Sequence, residues 1–486
     1  MKKFITNLVL VICLCATLLC ACGKSGLKDN PATDAQIYGN GGYAVVKGDY
    51  LYYTNGFVSD YTTSLSNYKK DNVFGKVTYG AIYRTKLDGS KISKDDNGFL
   101  TSTERVVPKV VGFDNGGFYI VGDYIYYGTP YMQKNADGKL QNDRVSFNRI
   151  KIDGTGNKEF YVSGEDVKDI EWKVYNYNGN AYLVVIEDKK VTSVYFEGKK
   201  VVTKQLAKET TSVVLNDSTT PLNDFVYYTR AIGEDEKGFS TSGNLLCRAS
   251  FVSGTETAYE DSQSKVLTYT VVGYSNNKIY YTAKNSIAYL YAQNASESLN
   301  SNSNKPIQLS DTDYSNYYFI AGGNPYSVAA LNSDKELVLI TNINGAPVPT
   351  AVASNISTVV GVRGDYVYYI DSSLLKRVNL TERTTETVSN VGDASGKTFM
   401  LSDVNTVDIG DQNDDRFVYI FASYTSATKE TDADGKETEI KSYYLNRIDL
   451  LTGEKVAEFV GVMDKNHLPA EPTADETTGK KDKWIY

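Results

Sequence analysis

Apolar positions along most of this chain follow no helical period. They fall in short β-branched and aromatic runs separated by Gly, Asn and Asp turns, the signature of strands joined by hairpins. The runs recur. Gly48-Asp49-Tyr50-Leu51-Tyr52-Tyr53-Thr54-Asn55, Gly122-Asp123-Tyr124-Ile125-Tyr126-Tyr127 and Gly364-Asp365-Tyr366-Val367-Tyr368-Tyr369 are near copies, with weaker ones at 224–229, 278–282 and 416–419. A second element follows each at variable distance. It reads Ile82-Tyr83-Arg84-Thr85-Lys86-Leu87-Asp88-Gly89, then Phe147-Asn148-Arg149-Ile150-Lys151-Ile152-Asp153-Gly154, with later copies centred on Arg248, Arg377 and Arg447.

One unit is therefore four strands: an apolar run, a Gly or Asn turn, the Tyr-rich strand, a loop, the Arg-bearing strand, and a final run. The Tyr-rich strand is apolar on both alternating faces. Both faces need cover, as in sheets stacked around an axis. Second strands centre near Tyr53, Tyr127, Tyr182, Tyr228, Tyr281, Ala329, Tyr369 and Tyr419, which gives units of about 53 residues over 40–463. The expectation is an all-β chain with a single β-propeller of eight four-stranded blades at 39–463. Seven blades is the alternative if the weak unit near 182 or 329 is misread.

Composition narrows the chemistry. Hydrophobic residues at 41% and charged residues at 23% suit a globular chain with a large core. The lone His467 excludes a His-centred triad and a two-histidine metal site. A net charge of −8 argues against nucleic acid, which needs a basic face. There is no Gly-x-Ser-x-Gly elbow, and two tryptophans are too few for repeated Trp docking between blades. No cofactor or metal is expected.

The amino terminus has its own pattern. Lys2 and Lys3 precede an apolar run from Leu8 to Leu19, too short for a comfortable membrane span and laid out as a signal peptide. The run ends Leu19-Cys20-Ala21-Cys22-Gly23, which resembles the lipobox of bacterial lipoproteins. That resemblance implies cleavage after 21, a diacylglyceryl group on Cys22, and a membrane partner on the extracytoplasmic side; two acyl chains suffice for stable anchoring. The polar stretch 22–38 then reads as a tether. The tail at 464–486 reads as disordered. With Cys22 lipidated no intramolecular disulfide is possible, and Cys247, in Leu245-Leu246-Cys247-Arg248, reads as a buried inert thiol.

The Tyr-Tyr-Thr-Asn and Tyr-Arg-Thr-Lys-Leu-Asp-Gly-Ser elements resemble the YWTD propeller repeat of LDL-receptor-type proteins, and more closely a family of bacterial lipoproteins with tyrosine-rich propeller domains of unknown function. Tyrosine or another residue stands where the repeat has tryptophan, and that class closes with six blades. The resemblance thus implies fold and transfers no ligand site.

Three features invite a functional reading. The recurring arginines suggest a ligand ring, but a residue at one position of every unit is more simply a sheet-to-sheet fixture, paired with Asp49, Asp123 or Asp365 of the preceding turn. Asn135-Ala136-Asp137-Gly138-Lys139 and Asp432-Ala433-Asp434-Gly435-Lys436 mimic calcium loops, yet Lys441 stands where a bidentate Glu is needed, so both read as turns. The longest insertions, about 55–80, 130–144, 231–242 and 424–441, all fall between second and third strands and hence on one face. That face carries Phe57, Tyr61, Tyr68, Phe74, Tyr79, Tyr131 and Tyr424, the candidate ligand residues. The resulting expectation is a lipid-anchored, non-enzymatic module of the bacterial envelope that binds a protein or glycan. The alternative is a carbohydrate-active enzyme with a carboxylate pair in the channel.

Overall fold

The Tyr-rich runs are second strands covered on both sides. Tyr50–Thr54, Phe225–Ala231 and Lys278–Lys284 are buried through their centres regardless of alternation. Tyr52, Tyr53, Tyr227, Tyr228, Tyr280, Tyr281, Tyr368 and Tyr369 are among the largest fully buried side chains. Burying such a side chain stabilises by roughly 1.5–3 kcal/mol, so the repeat concentrates its folding energy on this strand.

The computed structural model describes residues 37–39, 41–42, 44–54, 73–74, 77–78, 82–87, 104–107, 117–131, 144–164, 170–215, 223–233, 243–259, 267–295, 304–320, 327–343, 346–371, 374–390, 404–408, 416–431, 435, 437–450 and 455–458. Among them there is no helix. The strands form antiparallel meanders in chain order. Sheets 1 to 8 span 44–107, 118–162, 170–207, 210–258, 268–308, 316–353, 356–390 and 404–458, each with four strands of its own segment. Tyr53, Tyr127, Tyr182, Tyr228, Tyr281, Ala329, Tyr369 and Tyr419 each lie in the second strand of a different sheet.

Sheets stack face to face in sequence, the arrangement of a β-propeller. Tyr52 and Ile82 of sheet 1 share a core with Phe118 and Ile125 of sheet 2. Tyr119 and Phe147 share another with Trp172 and Leu183 of sheet 3. Tyr182 and Val184 meet Tyr228 and Cys247 of sheet 4, where Cys247 is fully buried. The series continues through sheets 5, 6 and 7. Arg363 of sheet 7 donates to the Phe417 carbonyl of sheet 8 at 2.6 Å, and Arg447 of sheet 8 donates to the Leu87 carbonyl of sheet 1 at 2.7 Å. First strands face the axis: Val271 N in sheet 5 donates to Ser212 Oγ in sheet 4 at 2.9 Å. Fourth strands such as Lys200–Ala207 and Ala346–Ala353 are the exposed rim.

The structure departs from the sequence reading at two elements. Ile37–Tyr38, expected in the tether, form a strand (β1) on the inner edge of sheet 2, with Ile37 opposite Val121 and Tyr38 opposite Ile120. Ile37 is buried against sheet 2, so the propeller takes up two residues that their polar context assigns to the tether. The chain then crosses to sheet 1 through a close backbone approach, with Gly117 N donating to Gly41 O at 2.8 Å. A Cβ on Gly117 would stand 1.7 Å from the Gly42 carbonyl oxygen, so this crossing requires glycine.

The second departure is in sheet 8. Its second and third strands are Phe417–Thr431 and Glu437–Asp449, paired out to Thr431 opposite Glu437. The stretch 424–441, expected as a long loop, is therefore an extended hairpin. Its Thr content suits a strand while its charges conceal one. Gly435, at φ +79°, lies in its closing segment.

Candidate functional site

The recurring arginines follow one cross-strand geometry. Arg84, Arg149, Arg248, Arg377 and Arg447 stand directly opposite Tyr52, Tyr126, Tyr227, Tyr368 and Tyr419. Each guanidinium then lies over the aromatic ring two residues back on the same face. Distances to the ring centres are 4.2 Å for Tyr50, 4.7 Å for Tyr124, 4.3 Å for Phe225, 4.3 Å for Tyr366 and 3.6 Å for Phe417. Three reach the next sheet: Arg149 over Phe196 at 3.6 Å, Arg248 to the Ala295 carbonyl, and Arg447 to the Leu87 carbonyl.

The expected aspartate partners are replaced. Asp49 pairs with Lys86 and Asp123 with Lys47, each at 3.7 Å. Position along the strand is the reason: Lys86 stands opposite Tyr50 beside the turn and Lys47 reaches Asp123 from sheet 1, whereas each arginine stands two residues further from its turn. The arginines are thus cross-strand and sheet-to-sheet fixtures, engaged by rings, carbonyls and tyrosine hydroxyls and, at Arg377, by the Glu386 carboxylate at 2.8 Å on the fourth strand.

On the opposite face, Tyr131 is the candidate ligand residue whose side chain is described. It continues the sheet 2 ladder by one step, donating its N–H to the Arg144 carbonyl at 2.9 Å. The Arg144 guanidinium lies 5.1 Å from the Tyr131 ring centre and donates from Nε to the Ser163 carbonyl at 2.8 Å. Ser163 is fully buried, and its Oγ accepts from Val145 N at 2.9 Å. The next residue, Gly164, donates to Glu187 Oε1 at 3.1 Å. Glu187 Oε2 accepts from Tyr161 at 3.0 Å and pairs with Lys190 at 3.7 Å. Burial, followed by the adjacent Glu187, pushes the Tyr161 hydroxyl well above its ordinary range. Tyr161 therefore stays a proton donor to a carboxylate whose two oxygens are both engaged.

This network joins sheets 2 and 3 beneath a fixed aromatic–cation pair. It offers a rigid platform for recognition and holds no nucleophile beside a base. Arg144, Ser163 and Glu187 went unremarked in the sequence. One signal was available: stepping the Tyr126–Arg149 pairing outward by five residues on each strand leads from Tyr126 to Tyr131 and from Arg149 to Arg144.

Phe74 lies on the short strand Val73–Phe74 and Tyr424 on Phe417–Thr431. Phe57, Tyr61, Tyr68, Tyr79 and Cys22 lie outside the described residues, as does the 135–139 segment. The same face carries an open cavity of about 620 Å³ on sheet 6, lined by Asp313, Tyr314, Ser315, Asn332 and Glu336 among others. At the axis, the exposed described side chains of first strands include Glu171, Thr211, Thr268, Thr270, Ser357 and Thr358, with a single carboxylate among them. Among the described residues, no three His, Cys, Asp or Glu side chains group as a metal site.

No family profile and no curated protein matches the sequence. Solved structures similar to the chain include a prolyl endopeptidase, at 12% identity and TM-score 0.39, over 71% of this chain and 50% of that one. Dipeptidyl peptidase 4 of Porphyromonas gingivalis is 12% identical at TM-score 0.43, over 90% and 62%. Oligogalacturonate lyase of Vibrio parahaemolyticus is 8% identical at TM-score 0.36, over 60% and 86%. The chain spans about half the length of the endopeptidase. At these identities and TM-scores the likenesses transfer no activity.

Proposed function

We propose that this chain is a lipid-anchored β-propeller of the bacterial cell envelope that binds a protein or glycan through the face bearing its 2–3 connections, without catalysis. The observation that carries the reading is the Tyr131–Arg144 pair. It is an aromatic face with a cation held over it, pinned through Ser163 and Glu187 on a scaffold of stacked sheets. Aromatic faces of this kind stack on sugar rings and serve as anchors at protein interfaces. The single carboxylate among the described exposed groups of the first strands favours binding over the glycosidase alternative, which needs an acid pair.

The blade count belongs to the same proposal. Eight sheets, each with four strands of its own segment and the eighth touching the first through Arg447, favour a ring of eight blades over the alternative of seven. The anchor is the Cys22 diacylglyceryl group of the lipobox-like segment.

The test is a glycan array and an envelope pull-down with the full chain, together with an assay of every bound glycan for cleavage. Saturable capture without turnover is the expected result. Release of shortened sugars from a captured glycan would sink the non-enzymatic reading.

A further inference from the structure

The direction of β1 bears on how the disc sits on a membrane. In each sheet the first strand runs down to the 1–2 turn and the second returns to the 2–3 connection. The 1–2 and 3–4 turns therefore share one face, and the 2–3 connections and the links between sheets share the other. β1 is antiparallel to Phe118–Val121, and its first residue, Ile37, is level with Val121, one residue from the Gly122-Asp123 turn. From Tyr38 the chain climbs the other way, reaching Gly117 by Gly41. The chain preceding Ile37 therefore leaves near the axis on the 1–2 turn face.

That exit is pinned. Lys47 is only 3% exposed; its Nζ donates to the Gly122 carbonyl at 2.6 Å and lies 3.7 Å from Asp123. It also lies 5.7 Å from the centre of the Tyr38 ring. One buried cation thus ties the first strand of sheet 1, the turn of sheet 2 and β1 together.

We propose that the 1–2 turn face is the membrane-proximal face, and that the face carrying Tyr131 and the long 2–3 connections points away from the bilayer. The proposal rests on the lipid-anchor reading of Cys22. Reach decides it. The 15 residues from Cys22 to Gln36 extend at most ~50 Å, and a chain of this polar composition has a root-mean-square span of roughly 20 Å. Bringing the other face down would require passing four strands outward, at least ~14 Å, and then the disc thickness. An eight-residue strand such as Lys190–Glu197 makes that thickness ~26 Å. Such a path needs a nearly extended tether, whereas the orientation with the exit face down needs none of that stretching.

Lys189 and Lys199 flank the strand Lys190–Glu197, are exposed, and lie on opposite faces. Single Lys189→Cys and Lys199→Cys chains, each carrying a fluorescent donor, are placed on phosphatidylglycerol–phosphatidylethanolamine vesicles with a headgroup acceptor. Cys247 is buried and takes no label. The expected result is at least about twofold more energy transfer from position 199 than from position 189. Equal transfer, or more from 189, overturns the orientation. A parallel arm replaces Cys22 with a hexahistidine tag on nickel-chelating vesicles. If the lipidated chain fails to float with vesicles while the tagged chain keeps the asymmetry, the anchor reading has failed and the exit geometry has not. If the tagged chain shows no asymmetry, the orientation is overturned whatever anchors the native chain.

Discussion

Arg447 touches a ring in its own sheet and a carbonyl in sheet 1, and those contacts assign its energetics. A hydrogen bond from a charged donor contributes about 1.5–3 kcal/mol, and a ring contact adds about 0.5–1 kcal/mol. Arg447→Met is expected to lower unfolding free energy by about 2–3 kcal/mol in urea titration. Asp365→Asn should change it by less than about 0.5 kcal/mol, since the turn aspartates are not the arginines' partners. A large loss from the second substitution would restore the ion-pair arrangement. The sequence carried this information only in part. The repeat located the arginines, but the lysines that take Asp49 and Asp123 and the diagonal ring contact depend on strand twist and sheet stacking, which spacing alone does not reveal.

The buried tyrosines set an alkaline limit. Burial is the leading cause in each case: Tyr274 and Tyr317 are pushed up to about 12, and Tyr127, Tyr227 and Tyr228 are raised further. Unfolding exposes hydroxyls that ionise near 10, so the folded state binds more protons above that pH. Their contribution is fully present below about pH 10 and is lost as pH rises toward about 12. Urea midpoints at pH 7, 8.5 and 11.5 should be level across the first pair and then fall, with the buried tyrosines' tyrosinate absorbance rising together with unfolding. Ionisation of all forty tyrosines near pH 10 while the chain is still folded would contradict the burial account.

Among the elements, hairpin pairs were the legible part, because each Tyr-rich and Arg-bearing run carries its own register. β1 and the sheet 8 hairpin were not. Two residues are too short for periodicity, and charges in Lys429 to Lys441 mask a ladder built on threonine. The Ser163–Glu187 network was also hidden, since it forms between units whose relative placement no single repeat encodes. β1 depends on the glycine crossing. Gly117→Ala is expected to cost about 1–3 kcal/mol and to make the segment ahead of Ala44 cleavable by protease before global unfolding. Unaltered protection would show that the crossing tolerates a side chain.

For the whole molecule, the account joins an anchor at one face to a recognition surface on the other. Cys22→Ala is expected to shift the protein from the membrane fraction to the soluble fraction with its thermal midpoint unchanged; retention on the membrane would remove the anchor. The surface is tested by shortening the first long connection. Thr54 and Ile82 are direct partners in sheet 1, so deleting 57–81 leaves Asn55-Gly56, a favoured two-residue turn, to close the hairpin. The decisive measurement is the affinity of this shortened chain, beside the full chain, for the glycan or envelope protein that the full chain captures. The account predicts the same urea midpoint and at least a ~10-fold loss of affinity, about 1.4 kcal/mol. Unchanged affinity in a folded shortened chain would contradict the assignment of binding to this face.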